Sequence, residues 1–336
     1  LAGAEQGQII LGSKGLDDPF LALPDNGLSG LVSPDGNWIA FFNFLEVIDE
    51  DTDTYSVEIT VTDFLNQEEY KIQYENISLS RQSQWNWANN ASIIIPLRTE
   101  NGLYRWQEWE PFANEQRVLS IQLEDIGGNL PGIHKLPIFD PLLESVVYPC
   151  MQCTDAEYRI RELESGKVVG TIELESYSTA VTRSQPVWSP DGKNIAIGVG
   201  TSISEDNGKL MIFNRNGEKI HEIDLPNRND VVGGGALSWS PNSQYLAFYR
   251  NDPAYTRNGQ VPTLSIFDLT NGLIKDLCLT STSWPIWAQD SNRIAVSSLR
   301  EGAEDQVNEI FVISIASGKS IQINAPIFSA VIGWAG

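Results

Sequence analysis

Asp49, Asp51 and Asp53 alternate along one short acidic run, and alternating carboxylates are the donors that hard, oxygen-seeking calcium prefers. An EF-hand loop would also need Gly at its sixth position and Glu at its twelfth, where Thr54 and Thr60 stand. The run is therefore a calcium candidate outside the EF-hand pattern, with solvated surface as the competing reading. No other cofactor is expected. Cys150 and Cys153 form a C-x-x-C, read as a local disulfide or as two buried thiols. Thr154 stands where haem attachment would need His, and the two histidines, His134 and His221, lie too far off in sequence to suggest a zinc site. Cys278 falls in a strand-like run and reads as core. No G-x-S-x-G occurs, so a serine-hydrolase elbow is excluded.

Acidic runs sit in three stretches between strand-like segments. Asn43 to Tyr55 carries Asp49, Glu50, Asp51 and Asp53; 198–209 carries Glu205 and Asp206; 298–308 carries Glu301, Glu304 and Asp305. Together with 250–262, which holds Tyr255, these read as long loops on one face of a rigid scaffold, where binding residues usually sit. Trp85, Trp106, Trp109 and Phe112 crowd one stretch. Most read as core, and Trp109 is the one expected to be exposed, as a platform for a sugar or an anchor for a protein.

The 44 Asp and Glu against 22 Lys and Arg give a formal charge of −22. With no basic cluster, that balance excludes nucleic acid as a partner. No run approaches the ~18 apolar residues that read as a membrane span, so the chain is not expected to cross a bilayer as a helix. It opens on Leu1, which fits a processed product whose signal peptide has been removed.

The elements that would position these groups come from a repeat. Pro186-Val-Trp-Ser-Pro-Asp-Gly-Lys-Asn-Ile-Ala-Ile197 recurs as Leu237-Ser-Trp-Ser-Pro-Asn-Ser-Gln-Tyr-Leu-Ala-Phe248 and Pro285-Ile-Trp-Ala-Gln-Asp-Ser-Asn-Arg-Ile-Ala-Val296. Taking the Trp position as anchor, the copies fall at Val32, Trp87, Phe139, Trp188, Trp239, Trp287 and Trp334, with spacings by subtraction of 55, 52, 49, 51, 48 and 47. Each unit predicts a short strand, a Ser-Pro-Asp-Gly turn and a second, doubly buried strand such as Trp38–Phe42 or Ile195–Ile197. A third strand follows, as in Val57–Thr62, and then a fourth reached through Asn216-Gly217, Asn271-Gly272, Ser165-Gly166 or Ser317-Gly318. Four antiparallel strands per repeat make the blade of an all-β propeller.

The motif resembles the W-S-P-D-G repeat of TolB-like propellers, a family akin to the WD repeats and also found in the propeller domains of prolyl-oligopeptidase-type peptidases. The resemblance covers nearly the whole chain, through turn and core residues, and implies one propeller domain over 1–336. Trp334 ends a first strand with no second strand after it, while Gln8–Gly12 and Pro19–Leu23 precede the first anchor. Seven blades closed by a composite N- and C-terminal blade are expected, with six as the alternative.

The TolB-like resemblance implies a non-catalytic scaffold of the bacterial periplasm or cell surface that binds a protein, a role compatible with being one subunit of a larger assembly. Asp49, Asp51, Asp53, Trp109, Glu205, Asp206, Tyr255, Glu304 and Asp305 are the candidate contacts. Two other readings stay open: a carbohydrate-binding or matrix protein using Trp109 or Tyr255, and a propeller enzyme with carboxylates paired at the channel mouth.

Overall fold

The computed structural model describes residues 8–12, 21–23, 28–49, 54–63, 68–78, 86–89, 91–98, 104–119, 137–150, 157–174, 184–199, 208–225, 237–250, 263–280, 284–299, 308–323 and 330–335. Among them every regular element is a strand. The first blade holds β3 (Leu28–Val32), β4 (Trp38–Asp49), β5 (Thr54–Asp63) and β6 (Glu69–Ser78). The second holds β7 (Asn86–Ala88), β8 (Ser92–Arg98), β9 (Tyr104–Glu110) and β10 (Glu115–Leu119). The third holds β11 (Ile138–Phe139), β12 (Ser145–Pro149), β13 (Glu157–Glu162) and β14 (Val168–Glu173). The fourth holds β15 (Val187–Trp188), β16 (Asn194–Val199), β17 (Lys209–Asn214) and β18 (Lys219–Asp224). The fifth holds β19 (Ser238–Trp239), β20 (Tyr245–Arg250), β21 (Thr263–Asp268) and β22 (Leu273–Thr280). The sixth holds β23 (Ile286–Trp287), β24 (Arg293–Leu299), β25 (Asn308–Ser314) and β26 (Ser320–Ile323).

Six four-stranded blades are thus present, the alternative of the two expected counts. The chain ends form a separate, three-stranded sheet in the order β2 (Leu21–Leu23), β1 (Gln8–Gly12), β27 (Ala330–Ala335). The expected joining of the two ends occurs, but β1 runs parallel to β27, unlike the antiparallel pairs within the blades. A single bridge, Ile77 to Leu97, also links the first and second blades through β6 and β8.

By compactness the chain divides into two units. Leu1–Leu123, Ala303–Ile310 and Ile323–Gly336 form one; Glu124–Gly302 and Phe311–Gln322 form the other. In the first, Ala40, Phe42, Val57, Ile59 and Tyr74 pack against Trp87, Ile93, Ile95 and Trp109. In the second, three apolar clusters repeat that arrangement from blade to blade. The continuous apolar runs of the second strands make this possible: a strand covered on both faces contributes to two neighbouring cores at once.

The turn after each first strand is built from its own side chains. Trp38 N donates to Ser33 Oγ at 3.0 Å, Asn194 N to Ser189 Oγ at 2.9 Å and Tyr245 N to Ser240 Oγ at 2.8 Å. Each of those hydroxyls donates onward to Asp35, Asp191 or Asn242 at 2.6–2.7 Å. The fourth turn residue has positive φ at Gly36, Leu143, Gly192, Ser243 and Ser291, whereas in the second blade the positive φ falls at Asn89, two residues after Trp87. Where serine replaces glycine there, its hydroxyl accepts from the preceding blade's turn: Asp191 N to Ser243 and Asn242 N to Ser291, both at 3.0 Å.

The anchor tryptophans join consecutive blades. Four of the anchor indoles donate their N–H to the carbonyl just before the previous anchor: Trp87 to Leu31, Trp188 to Ile138, Trp239 to Val187 and Trp287 to Ser238, at 3.0–3.1 Å. A buried carbonyl left without its donor costs about 1–3 kcal/mol. Trp239→Phe should therefore lower the unfolding free energy by about 2 kcal/mol, measured by urea denaturation, without changing the circular dichroism spectrum.

The terminal strand meets the first blade differently. Gly333 lies so close to β3 that an added Cβ would sit 2.3–2.4 Å from Val32 Cγ2 and Cβ. Gly333→Ala should destabilise by about 1–3 kcal/mol, and adding Val32→Ala should restore much of the loss. Additive losses in the double variant would show that the two positions do not touch.

Candidate protein-interaction site

Asn43 to Tyr55, expected as a loop, is strand at both of its ends. Strand β4 continues to Asp49 and β5 begins at Thr54, paired through Asp49↔Thr54. The run Phe41-Phe-Asn-Phe-Leu-Glu-Val-Ile48 is too apolar and too rich in β-formers for a solvated loop, and that signal was legible. The β3–β4 pairing ends at Leu28↔Phe42. Among the described residues, the rest of β4 pairs only with β5, whose other edge is held by β6 through Thr54↔Ser78 and Tyr55↔Ile77. The result is a β-arm that outruns the first strand of its blade.

Its side chains are not arranged as core. The register shifts between Phe44 and Glu46 and again between Val47 and Asp49, leaving Leu45 and Ile48 without partners across the ladder. Leu45, Val47 and Ile48 are 48%, 51% and 40% exposed, and Glu46 beside them is exposed. Bulges twist a strand edge and discourage another strand from adding to it. The arm consequently offers side chains more than backbone. Leu45, Val47 and Ile48, with Glu46 among them, make a contiguous exposed patch of the kind that can mark an interaction surface.

The other expected contacts divide. Asp51, Asp53, Glu205, Asp206, Tyr255, Glu304 and Asp305 lie outside the described residues, as do Glu50, Glu301, Trp85 and His134. The backbone of Asp49 ends β4. Trp109 corrects the expectation of an exposed platform: it is 1% exposed and belongs to the core between the first two blades. It sits on β9 opposite Ile93 and Gln116, and strand alternation turns its ring inward. Its Nε1 is buried without a hydrogen-bond partner. Phe112, in the turn after β9, is the exposed aromatic of that stretch, and it packs on Trp38 and Tyr70 at centroid distances of 4.1 and 5.4 Å.

Cys150 is buried and disulfide-bonded, while Cys153 lies outside the described residues. His221 meets the Phe267 ring edge-on at 5.2 Å, a packing contact. Among the described residues no cluster of three or more His, Cys, Asp or Glu side chains could hold a metal ion, and no helix is long and apolar enough to cross a membrane.

Three carboxylates are buried among the described residues, Asp63, Glu108 and Asp140, and none was anticipated. Glu108 accepts from Ser92 Oγ at 2.9 Å and from Arg117 Nε at 2.8 Å, tying β8, β9 and β10 together. Asp140 replaces the turn serine in the third blade and accepts from Glu144 N at 3.0 Å. It is fully buried, and burial pushes its carboxyl above the usual range against the opposing pull of the Glu144 N–H and the Arg215 guanidinium. Arg215, from the β17–β18 turn, reaches Asp140 Oδ2 at 3.3 Å, Glu144 Oε2 at 2.5 Å and Ser145 Oγ at 2.8 Å. Glu108 and Asp140 are held by the scaffold's own cations, which makes them clasps between strands and blades.

No protein-family model matches the sequence, and no curated protein matches it. Solved structures do. The acylaminoacyl peptidase of Pyrococcus horikoshii superposes with a TM-score of 0.54 at 8% identity, over 89% of this chain and 45% of that one. The oligogalacturonate lyase of Vibrio parahaemolyticus gives 0.52 at 9% identity, over 88% and 83%. The β-propeller domain of the Trilobed protease of Pyrococcus furiosus gives 0.51 at 9% identity, over 97% and 98%. The fold is a β-propeller. At these identities the likeness extends to the fold, and this propeller's function has to be argued from its own side chains.

Arg215→Met should destabilise the propeller by about 2 kcal/mol near neutral pH, because the Asp140 charge loses its cation; the partial exposure of Arg215 keeps the cost below that of a fully buried pair. A raised carboxyl pKa costs stability above it and nothing below the unfolded value, so the deficit should shrink as pH falls towards about 4. Urea titrations of both proteins at the two pH values check this.

Proposed function

We propose that this propeller is a non-catalytic scaffold that binds a protein partner through the β4–β5 arm, at the bacterial envelope or cell surface. The observation that carries the reading is the exposure of Leu45, Val47 and Ile48 on strand that the blade does not need. A blade is complete with β4 ending near Phe42, as β16 and β20 show with their six residues each. The extension exposes aliphatic surface, a cost that a contact elsewhere would offset. A disulfide at Cys150 favours an oxidising compartment, and the TolB-like resemblance of the repeat points to the envelope.

The non-catalytic reading is supported by where two of the described buried acids go. Asp140 and Glu108 are both engaged by arginine and by turn or hydroxyl donors, an arrangement suited to fastening strands. An acid or base acting on substrate would instead need a free face towards it.

The test replaces Leu45, Val47 and Ile48 together by Thr, which keeps β-propensity, and uses Leu273→Thr, an exposed leucine on β22, as control. Tagged proteins are cross-linked in native envelope extract, and the captured partner is quantified by mass spectrometry. Recovery should fall about tenfold in the triple variant, about 1.4 kcal/mol, and stay unchanged in the control. Equal recovery from all three proteins would remove the arm as the site.

A further inference from the structure

We infer that Asn271, in the β21–β22 turn, is a site of spontaneous covalent modification, its side-chain amide being converted to aspartate and isoaspartate by the backbone nitrogen of Gly272. This stands apart from the binding role of the arm. An Asn-Gly pair is open to the reaction because glycine has no Cβ to shield its nitrogen. The Gly272 nitrogen attacks Asn271 Cγ, the new N–Cγ bond closes a cyclic imide, the Cγ–Nδ2 bond breaks, and the proton given up by Gly272 leaves with Nδ2 as ammonia. Water then adds to one imide carbonyl and breaks its bond to nitrogen. At Cγ this gives aspartate; at the main-chain carbon of Asn271 it gives isoaspartate. Either product alters the turn, since isoaspartate lengthens its main chain and both add a charge beside the Asp268 carboxylate.

Two Asn-Gly pairs lie in described turns between third and fourth strands: Asn271-Gly272, and Asn216-Gly217 between β17 and β18. Both asparagines are exposed and both glycines have positive φ. Each glycine nitrogen donates to a main-chain carbonyl, Gly272 to Asp268 at 2.8 Å and Gly217 to Asn214 at 2.9 Å. Ring closure breaks that bond in either turn, so it does not separate them.

The side chain and the room around the peptide do. Leu273 N donates to Asn271 Oδ1 at 2.9 Å, folding the side chain back over the peptide whose nitrogen attacks it. That donor is aimed at the oxygen on which negative charge develops during the attack. Nδ2, the leaving group, donates to Asp268 Oδ2 at 2.8 Å, a carboxylate in position to relay the proton that ammonia needs. Apart from its chain neighbours, nothing lies within 4 Å of where a Cβ on Gly272 would sit, so the peptide can turn and water can reach the imide. At Asn216 the corresponding donor, Glu218 N, is bonded to Asn214 Oδ1 instead, at 3.0 Å. The peptide there is pressed against β14: a Cβ at Gly170 would lie 2.5 Å from the Asn216 carbonyl carbon and oxygen, and one at Gly217 would overlap the Thr171 backbone. Turning the Asn216–Gly217 peptide into the ring therefore means parting the fourth blade's turn from the third blade's outer strand.

The experiment holds the full chain in neutral buffer at physiological temperature, samples it over weeks, quenches in mild acid and digests it. Aspartate and isoaspartate in each Asn-Gly peptide are quantified by mass spectrometry. Asn26, Asn101, Asn207 and Asn258 also precede glycine; they lie outside the described residues, and their separate peptides keep their signals apart. The same chain unfolded in urea gives each site its intrinsic rate. In the folded protein Asn271 should react within a few-fold of its unfolded rate, while Asn216 should be slowed about tenfold or more, equivalent to about 1.4 kcal/mol on its barrier. Gly170→Ala, which forces the β17–β18 turn off β14, should bring Asn216 up towards its unfolded rate; an unfolding midpoint well above the incubation temperature would exclude general unfolding as the cause.

Equal protection of Asn271 and Asn216 in the folded chain would overturn the inference. So would reaction of Asn216 at its unfolded rate, or continued protection of Asn216 in a folded Gly170→Ala chain, because either result would show that the contact with β14 does not govern ring closure. If Gly170→Ala does not fold, the comparison of the two sites within the parent chain still decides.

Discussion

The hydrogen bond from an anchor indole to the carbonyl before the previous anchor is the interaction on which the blade succession depends. It runs from Trp87 to Leu31 in one unit and from Trp188, Trp239 and Trp287 to their predecessors in the other. The repeat of roughly fifty residues is the length needed to make four strands and return an indole to the same height one blade on. The bond satisfies a carbonyl one residue before the end of a short first strand, two residues long in three cases and five in β3, and the ring is buried between the two blades. A turn with fixed side-chain hydrogen bonds sets the angle between first and second strands. The serine hydroxyls of Ser243 and Ser291 then carry the register sideways from turn to turn.

Departures from the repeat are as informative as its copies. Phe139 has no N–H to donate, and the third blade compensates at its turn: Asp140 takes the serine's place and Arg215 from the fourth blade clasps it. The fourth blade also crowds the outer strand of the third. A Cβ at Gly217 would lie 2.3 Å from the Thr171 carbonyl oxygen, and one at Gly170 2.5 Å from that of Asn216. At the first anchor, Val32 replaces Trp because Gly333 of the terminal strand packs directly against its side chain. An indole at that position would displace β27.

The blades were legible because their signals are local and repeated: Ser-Pro-Asp-Gly turns, doubly buried second strands, and glycines at the positive-φ turns Gly166, Gly217, Gly272 and Gly318. Six of the seven anchors fall on the first strands of blades and Trp334 on the terminal strand β27, which β1 meets directly and β2 only through β1. What misled was the assumption that acidic means loop. The run to Ile48 had the composition of a strand, and the carboxylates that follow it hid this. Trp109 failed for a different reason: whether a ring on a strand faces core or solvent depends on register against neighbours far apart in sequence, and the sequence around Trp109 does not contain that register. The buried pair Asp140–Arg215 lies 75 residues apart in the chain, and its parts look like ordinary surface charge when read singly.

The arm is where these arguments converge. A propeller blade has a fixed strand length, set by the depth of the cores on its two faces, so strand beyond that depth contributes little to the fold. β4 outruns its partner β3 by seven residues, Asn43 to Asp49, and spends them on exposed aliphatic groups, two bulges and the start of an acidic run. Bulges weaken the arm as a template for aggregation while leaving its side chains presented. Glu46 sets a charge within that apolar surface. Exposed apolar surface of this kind is expected of a recognition element, and within the described residues of the first blade it occurs on the segment that blade architecture leaves free to vary.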